Sequence, residues 1–131
     1  MLRVLTLCSL YPNVTQPNLG SFVARQTERL GARPDVECTV IAPVARLPVG
    51  VDLPGAPYRQ NGAIPSKEER GGLAVHYPRY STVPIIGWRT SGTAMSDAVL
   101  DVAQVLHAAN PFDVIDCQYF FPDSIAAHHI S

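Results

Sequence analysis

Apolar positions along the chain fall into two kinds of run. Four are short, continuous and rich in Val, Leu and Ile: "RVLTLCSL" (Arg3 to Leu10), "VECTVIA" (Val36 to Ala42), "LAVHYPRY" (Leu73 to Tyr80) and "FDVIDCQYF" (Phe112 to Phe120). Such runs, bounded by turn residues, suit strands buried on both faces of a parallel sheet. The others are periodic. Phe22, Val23, Gln26, Thr27 and Leu30 give a helix over Phe22–Ala32 an inner face, with Ser21 as N-cap, Gly31 weakening the last turn and Pro34 ending it. Met95, Ala98, Val99, Val102, Val105, Leu106 and Ala109 make one stripe on a longer helix over Gly92–Ala109, stopped by Asn110-Pro111. A last helix is expected from Pro122 or Asp123, where proline and a carboxylate suit a first turn.

The order is β-α-β-(long loop)-β-α-β-α in one domain, residues 1–131. It predicts the α/β class, a Rossmann-like, doubly wound parallel sheet with right-handed crossovers. The most economical strand order is 3-2-1-4. Ligands of such sheets bind outside the carboxyl ends of the strands, where the chain reverses direction. Here that places Leu10–Gly20 beside the Gln118–Asp123 turn. Between strands two and three, Pro43–Gly72 holds five prolines and five glycines, and a partly disordered surface excursion is expected there.

Composition trims the list of functions. With 47% hydrophobic residues the chain is expected to fold. A net charge of −1 gives no electrostatic reason to bind nucleic acid. Nine of the ten basic residues are Arg, which reads as codon bias. Three cysteines, none at C-x-x-C spacing, argue against a disulfide framework or zinc site and for a reducing, cytoplasmic compartment. Cys8 and Cys117 read as small core residues. The N-terminus lacks the pattern of a signal peptide. No run approaches the ~18 apolar residues that a membrane span needs. Asn13-Val-Thr matches a glycosylation sequon that has no meaning in the cytosol.

Candidate chemistry concentrates at the switch point. Gly20 stands alone before a helix, with neither G-x-G-x-x-G nor a P-loop around it. A single glycine there still permits close approach of a phosphate to free helix N–H groups. The cleft candidates are Asn18, Gly20, Ser21 and Arg25 from the opening segment, with Gln118 and Tyr119 from the fourth strand. Asp116 is charged and near the same strand end. Arg25, Arg29 and Arg33 are four residues apart and read as a solvated face balanced by Glu28, with membrane-surface contact the less favoured alternative. His128-His129 do not converge on a metal, and His76 and His107 stand alone, so no metal or cofactor is expected. No catalytic residue is assigned.

"NLGSFVARQTERL", "VECTVIAP", "YPRY" and "FDVIDCQYFFPDSIAA" together resemble the N-terminal domain of retaining, nucleotide-sugar-dependent glycosyltransferases of the two-Rossmann-domain (GT-B) architecture, glycosyltransferase family four in particular. The resemblance covers most of the chain outside Pro43–Gly72. It implies a parent enzyme that moves a hexose from a nucleoside-diphosphate sugar to a glycan or lipid-linked acceptor with retention. It puts Gly20 near the donor phosphates across an interdomain cleft. Many members end the fourth strand in a His near the transferred sugar; the aligned residue here is Gln118, which can hydrogen-bond a hydroxyl but not take a proton as imidazole does. The family's nucleotide-binding second domain is not among these residues. The expectation is a truncated chain, inactive alone, whose exposed fourth strand favours self-association. The alternative is a non-enzymatic Rossmann-like binding or interaction module. A nicotinamide-dependent oxidoreductase is disfavoured by the missing glycine fingerprint.

Overall fold

A computed structural model describes residues 1–46, 59–81 and 91–118. Its main sheet has five strands in the order β4-β5-β2-β1-β7. These are β1 (Leu2–Leu7), β2 (Val36–Ile41), β4 (Lys67–Arg70), β5 (Leu73–His76) and β7 (Val114–Cys117). β5, β2, β1 and β7 run parallel, and β4 is an antiparallel edge on β5. The expected order 3-2-1-4 is therefore present, with one strand added. The protein is a mixed α/β fold with a mostly parallel sheet and two helices, α1 (Ser21–Gly31) and α2 (Ser91–Ala109), an arrangement compatible with a Rossmann-like fold.

Alternation along β1 sorts the core into two layers. Val4 and Cys8 pack with Val23 and Ala24 of α1, whereas Leu5 and Leu7 pack with Met95, Val99 and Ala103 of α2. Successive strand residues point to opposite faces, so the two helices cover opposite sides of the sheet. Every residue from Val4 to Cys8 is buried, as a doubly covered central strand requires.

Several expectations are corrected. Lys67–Arg70, taken as part of a loop, is a strand because the turn at Gly71 and Gly72, both at positive φ, folds it back onto β5. Its charged alternation "KEER" suits a sheet edge. Val44, Ala45 and Ile64 are buried, so the described parts of that excursion pack against the fold. The third strand is broken in two. Pro43 and Pro78 each lack an amide, and the ladder of β2 and β5 stops before them. It resumes as a second parallel pair, β3 (Val44–Arg46) with β6 (Arg79–Ser81), bridged by Ala42 N–H to His76 O and Val44 N–H to Pro78 O.

Helix α1 begins one residue early. Its N-cap is Gly20 in the left-handed conformation, so Ser21 is inside the helix and makes no capping bond. The inner face is Val23, Ala24 and Thr27, with Gln26 exposed and Phe22 68% exposed. Gly31 is where the helix comes closest to the sheet: a Cβ there would lie 2.4 Å from Leu73 Cδ2. On α2, Val105 and Ala109 leave the expected stripe for solvent, while Ser96 and Ala103 join the buried face. The first and second strands end sooner than their apolar runs, and β7 is four residues of the expected nine. The helix expected from Pro122 or Asp123 lies outside the described residues.

Candidate functional site at the carboxyl end of β1 and β7

β1 and β7 are adjacent and parallel, with Leu7 opposite Cys117. The chain leaves β1 for α1 on one face and enters β7 from α2 on the other, so this is the switch point. The opening segment and Gln118 are both there, as expected. Tyr119 lies outside the described residues.

The opening loop is built around Asn13. Its side-chain oxygen accepts hydrogen bonds from Thr15 N–H (3.0 Å), Thr15 Oγ1 (2.8 Å) and Gln16 N–H (2.9 Å). The Asn13 and Leu19 amides both donate to Gln16 O. Thus Asn-x-Thr here is an Asx turn, not a surface acceptor, and Asn13 is buried. The loop then folds back on its own start. A Cβ on Gly20 would sit 1.8 Å from Leu10 O, and φ is +60°. Glycine is required by the chain's own backbone, whether or not a ligand binds.

The other candidates are partly committed. Ser21 N–H reaches Asn18 O at 3.4 Å, and Asn18 is exposed. Arg25 Nε donates back to Ser21 O. Gln118 N–H continues the ladder to Leu7 O, and its Nε2 donates to Asp116 Oδ2. Asp116, on the terminal strand of the described sheet, thus orients the Gln118 amide. The Phe22 and Val23 amides in the first turn of α1 have no acceptor among the described residues, leaving the positive helix end available.

The sequence pattern places Phe22 on the inner face of the helix. It is instead one of three exposed apolar side chains clustered in sequence at this end, with Leu10 at 41% and Val14 at 53%. The buried stripe runs through Val23, Ala24 and Thr27, which leaves Phe22 on its solvent side.

Beneath the loop, burial pushes the Tyr11 hydroxyl up to about 12, aided by Glu28. Neither it nor Thr6 Oγ1 has a hydrogen-bond partner among the described residues. Tyr77 pins the loop from the far side. Its hydroxyl lies 2.8 Å from Pro12 O and 2.5 Å from Glu68 Oε1. Burial, then the Glu68 carboxylate, push that phenol up. Burial works against the Glu68 charge, but hydrogen bonds from Tyr77 and Arg70 outweigh it and hold the carboxyl below its usual range. The arginine row is shorter than its spacing suggests. Arg33 lies beyond the end of α1 and pairs with Asp35.

Among the described residues no three His, Cys, Asp or Glu side chains gather as metal ligands, and no helix is long and apolar enough to cross a membrane. No family model matches the chain, and no curated protein or solved structure matches it.

Proposed function

We propose that this chain is the acceptor-side, N-terminal part of a cytoplasmic, retaining GT-B glycosyltransferase. Its parent would transfer a hexose from a nucleoside-diphosphate sugar to a glycan or lipid-linked acceptor. One observation carries the reading: at the switch point between β1 and β7 two first-turn amides of α1 have no acceptor among the described residues, and Leu10, Val14 and Phe22 of the same segment are exposed. Free N–H donors suit phosphate or sugar oxygens, and exposed apolar side chains at a rim suit a second domain or an acceptor. The domain's share of catalysis is positioning and electrostatics, with the nucleotide-sugar half supplied outside these residues.

The test is NMR titration of the whole chain with nucleoside-diphosphate hexoses and short glycans. Saturable shifts are expected at residues 18–25 and 116–118, weakened by Phe22→Ser and Arg25→Gln. Sugar transfer by the chain alone is not expected. Absence of saturable shifts overturns the proposal in favour of the second reading, a non-enzymatic Rossmann-like module. That reading has its own support, because Gly20 and Gln118 already have partners within the chain. Self-association through β7 belongs to the first reading: among the described residues that strand pairs only with β1, and Val114 is 45% exposed. A concentration-independent monomer in light scattering would remove it.

A further inference from the structure

A second candidate site lies at the far edge of the sheet, separated from the switch point by β2. It is a groove of about 490 Å³ between α2 and the β4–β5 corner, lined by Ser66, Lys67, His76, Arg79 and Val102 among others. Lys67 and His76 face each other in the antiparallel register. Residues directly opposite in such a pair project to one face. Both therefore stand on the α2 side, where Val102 forms the wall.

What distinguishes this groove is unspent donor capacity. The Ser66 hydroxyl, the Lys67 ammonium and the His76 imidazole make no hydrogen bond or ion pair with any described residue. No carboxylate is among the described residues that line the groove. Glu68 projects to the opposite face, held by Arg70 and Tyr77. Glu69 shares the face of Lys67, opposite Ala74, without pairing with it. Asp97 and Asp101 of α2 are exposed and outside the lining.

Arg79 adds a charge that cannot swing away. Its two terminal nitrogens donate to the carbonyls of Asn61, Ile64, Pro65 and Tyr77. Burial, then nearby Arg46, work against its charge. The same two causes act on His76, where burial and then Lys67 hold the imidazole below its usual range. An anion in the groove relieves both.

We propose that this groove binds a small tetrahedral oxyanion, a phosphate or phosphomonoester, on the Lys67 ammonium and the His76 imidazole, which stand opposite each other on one face. Two side-chain donors on one face of a groove suit a multi-oxygen acceptor such as phosphate, and charge-assisted bonds to it are the strong ones. The proposal is independent of the sugar-transfer reading.

The experiment is titration of the whole chain with inorganic phosphate at fixed ionic strength, followed by amide and imidazole NMR. Expected are saturable shifts confined to Ser66, Lys67, His76 and Arg79, with a Kd on the order of 1 mM. Lys67→Gln should weaken binding about tenfold, and Lys67→Arg should restore most of it. Far-UV circular dichroism checks that each variant folds, and His76→Asn serves as a second, independent loss. A phosphomonoester that binds more tightly than phosphate assigns the site to an organic ligand; equal binding assigns it to the free ion. Shifts reproduced by chloride, spread over the surface arginines, or unchanged in Lys67→Gln and His76→Asn overturn the proposal.

Discussion

The two candidate sites at the carboxyl end of the sheet differ in what the chain leaves unused. At the switch point the groups that give the loop its outline are spent on the fold: Asn13 Oδ1 on Thr15 and Gln16, Gln118 Nε2 on Asp116, and the space beside Gly20 on the backbone of Leu10. At the β4–β5 corner the reverse holds. Ser66, Lys67 and His76 have no partner among the described residues, although no motif drew attention to them. A loop with the outline of a ligand site can be mostly self-supporting structure. A plain strand edge can keep the free donors that a ligand needs.

The contrast breaks most easily at Gly20. Gly20→Ala should destabilise the protein by about 3 kcal/mol or more, because the methyl meets a carbonyl that cannot yield and φ is in the left-handed region. Gly62 has nothing within 4 Å of the same atom, so Gly62→Ala should change stability by about 0.5 kcal/mol or less. Urea denaturation of the pair reads this directly. Equal midpoints would mean that Gly20 is not held by the fold, and its ligand role would regain priority.

Next in size is Asn13→Ala, expected to cost about 2 kcal/mol through three lost hydrogen bonds in a buried turn. Chemical denaturation measures it, with Asn18→Ala as the exposed comparison expected near zero.

These two positions also show how far the sequence could be read. The parallel strands were legible because continuous apolar runs such as "VLTL" have few other uses, and the strand order followed from economy of connection. The location of the switch point followed in turn. The role of Asn13 was not legible, since a sequon and an Asx turn share the same letters. Nor was β4: "KEER" carries no apolar signal, and its strand character comes from pairing with β5. The groove depends on that pairing, so Lys67 and His76 could not be brought together before the register was known.

A smaller effect is expected at Tyr77. Tyr77→Phe removes the hydroxyl shared by Pro12 O and Glu68 and should cost about 1.5 kcal/mol. It should also loosen the opening loop without touching its sequence, visible as faster amide exchange across residues 11–20. Unchanged exchange there would show that the loop is held from within, by Asn13 alone.

The smallest effect separates the corners by pH. Glu68 is a spent group. Its folded pKa lies below the unfolded value, so its stabilisation is fully present above about pH 4.3 and is lost as pH falls through the folded pKa. Glu68→Gln should flatten the stability curve in that acid window. His76 is an unspent group whose folded pKa also lies below its unfolded value. The folded protein resists a proton that the unfolded chain accepts, so stability falls as pH drops below about 6.5. Both steps have the same sign, in separate windows. The charged groups that line the groove with His76 are Lys67 from β4 and Arg79 from β6, with no acid among the described lining residues to favour its proton. Phosphate should therefore shrink the His76 step and leave the Glu68 step unchanged. Thermal denaturation across pH, with and without phosphate, reads both, and a His76 step indifferent to phosphate would mean that the free donors of the groove are simply solvated.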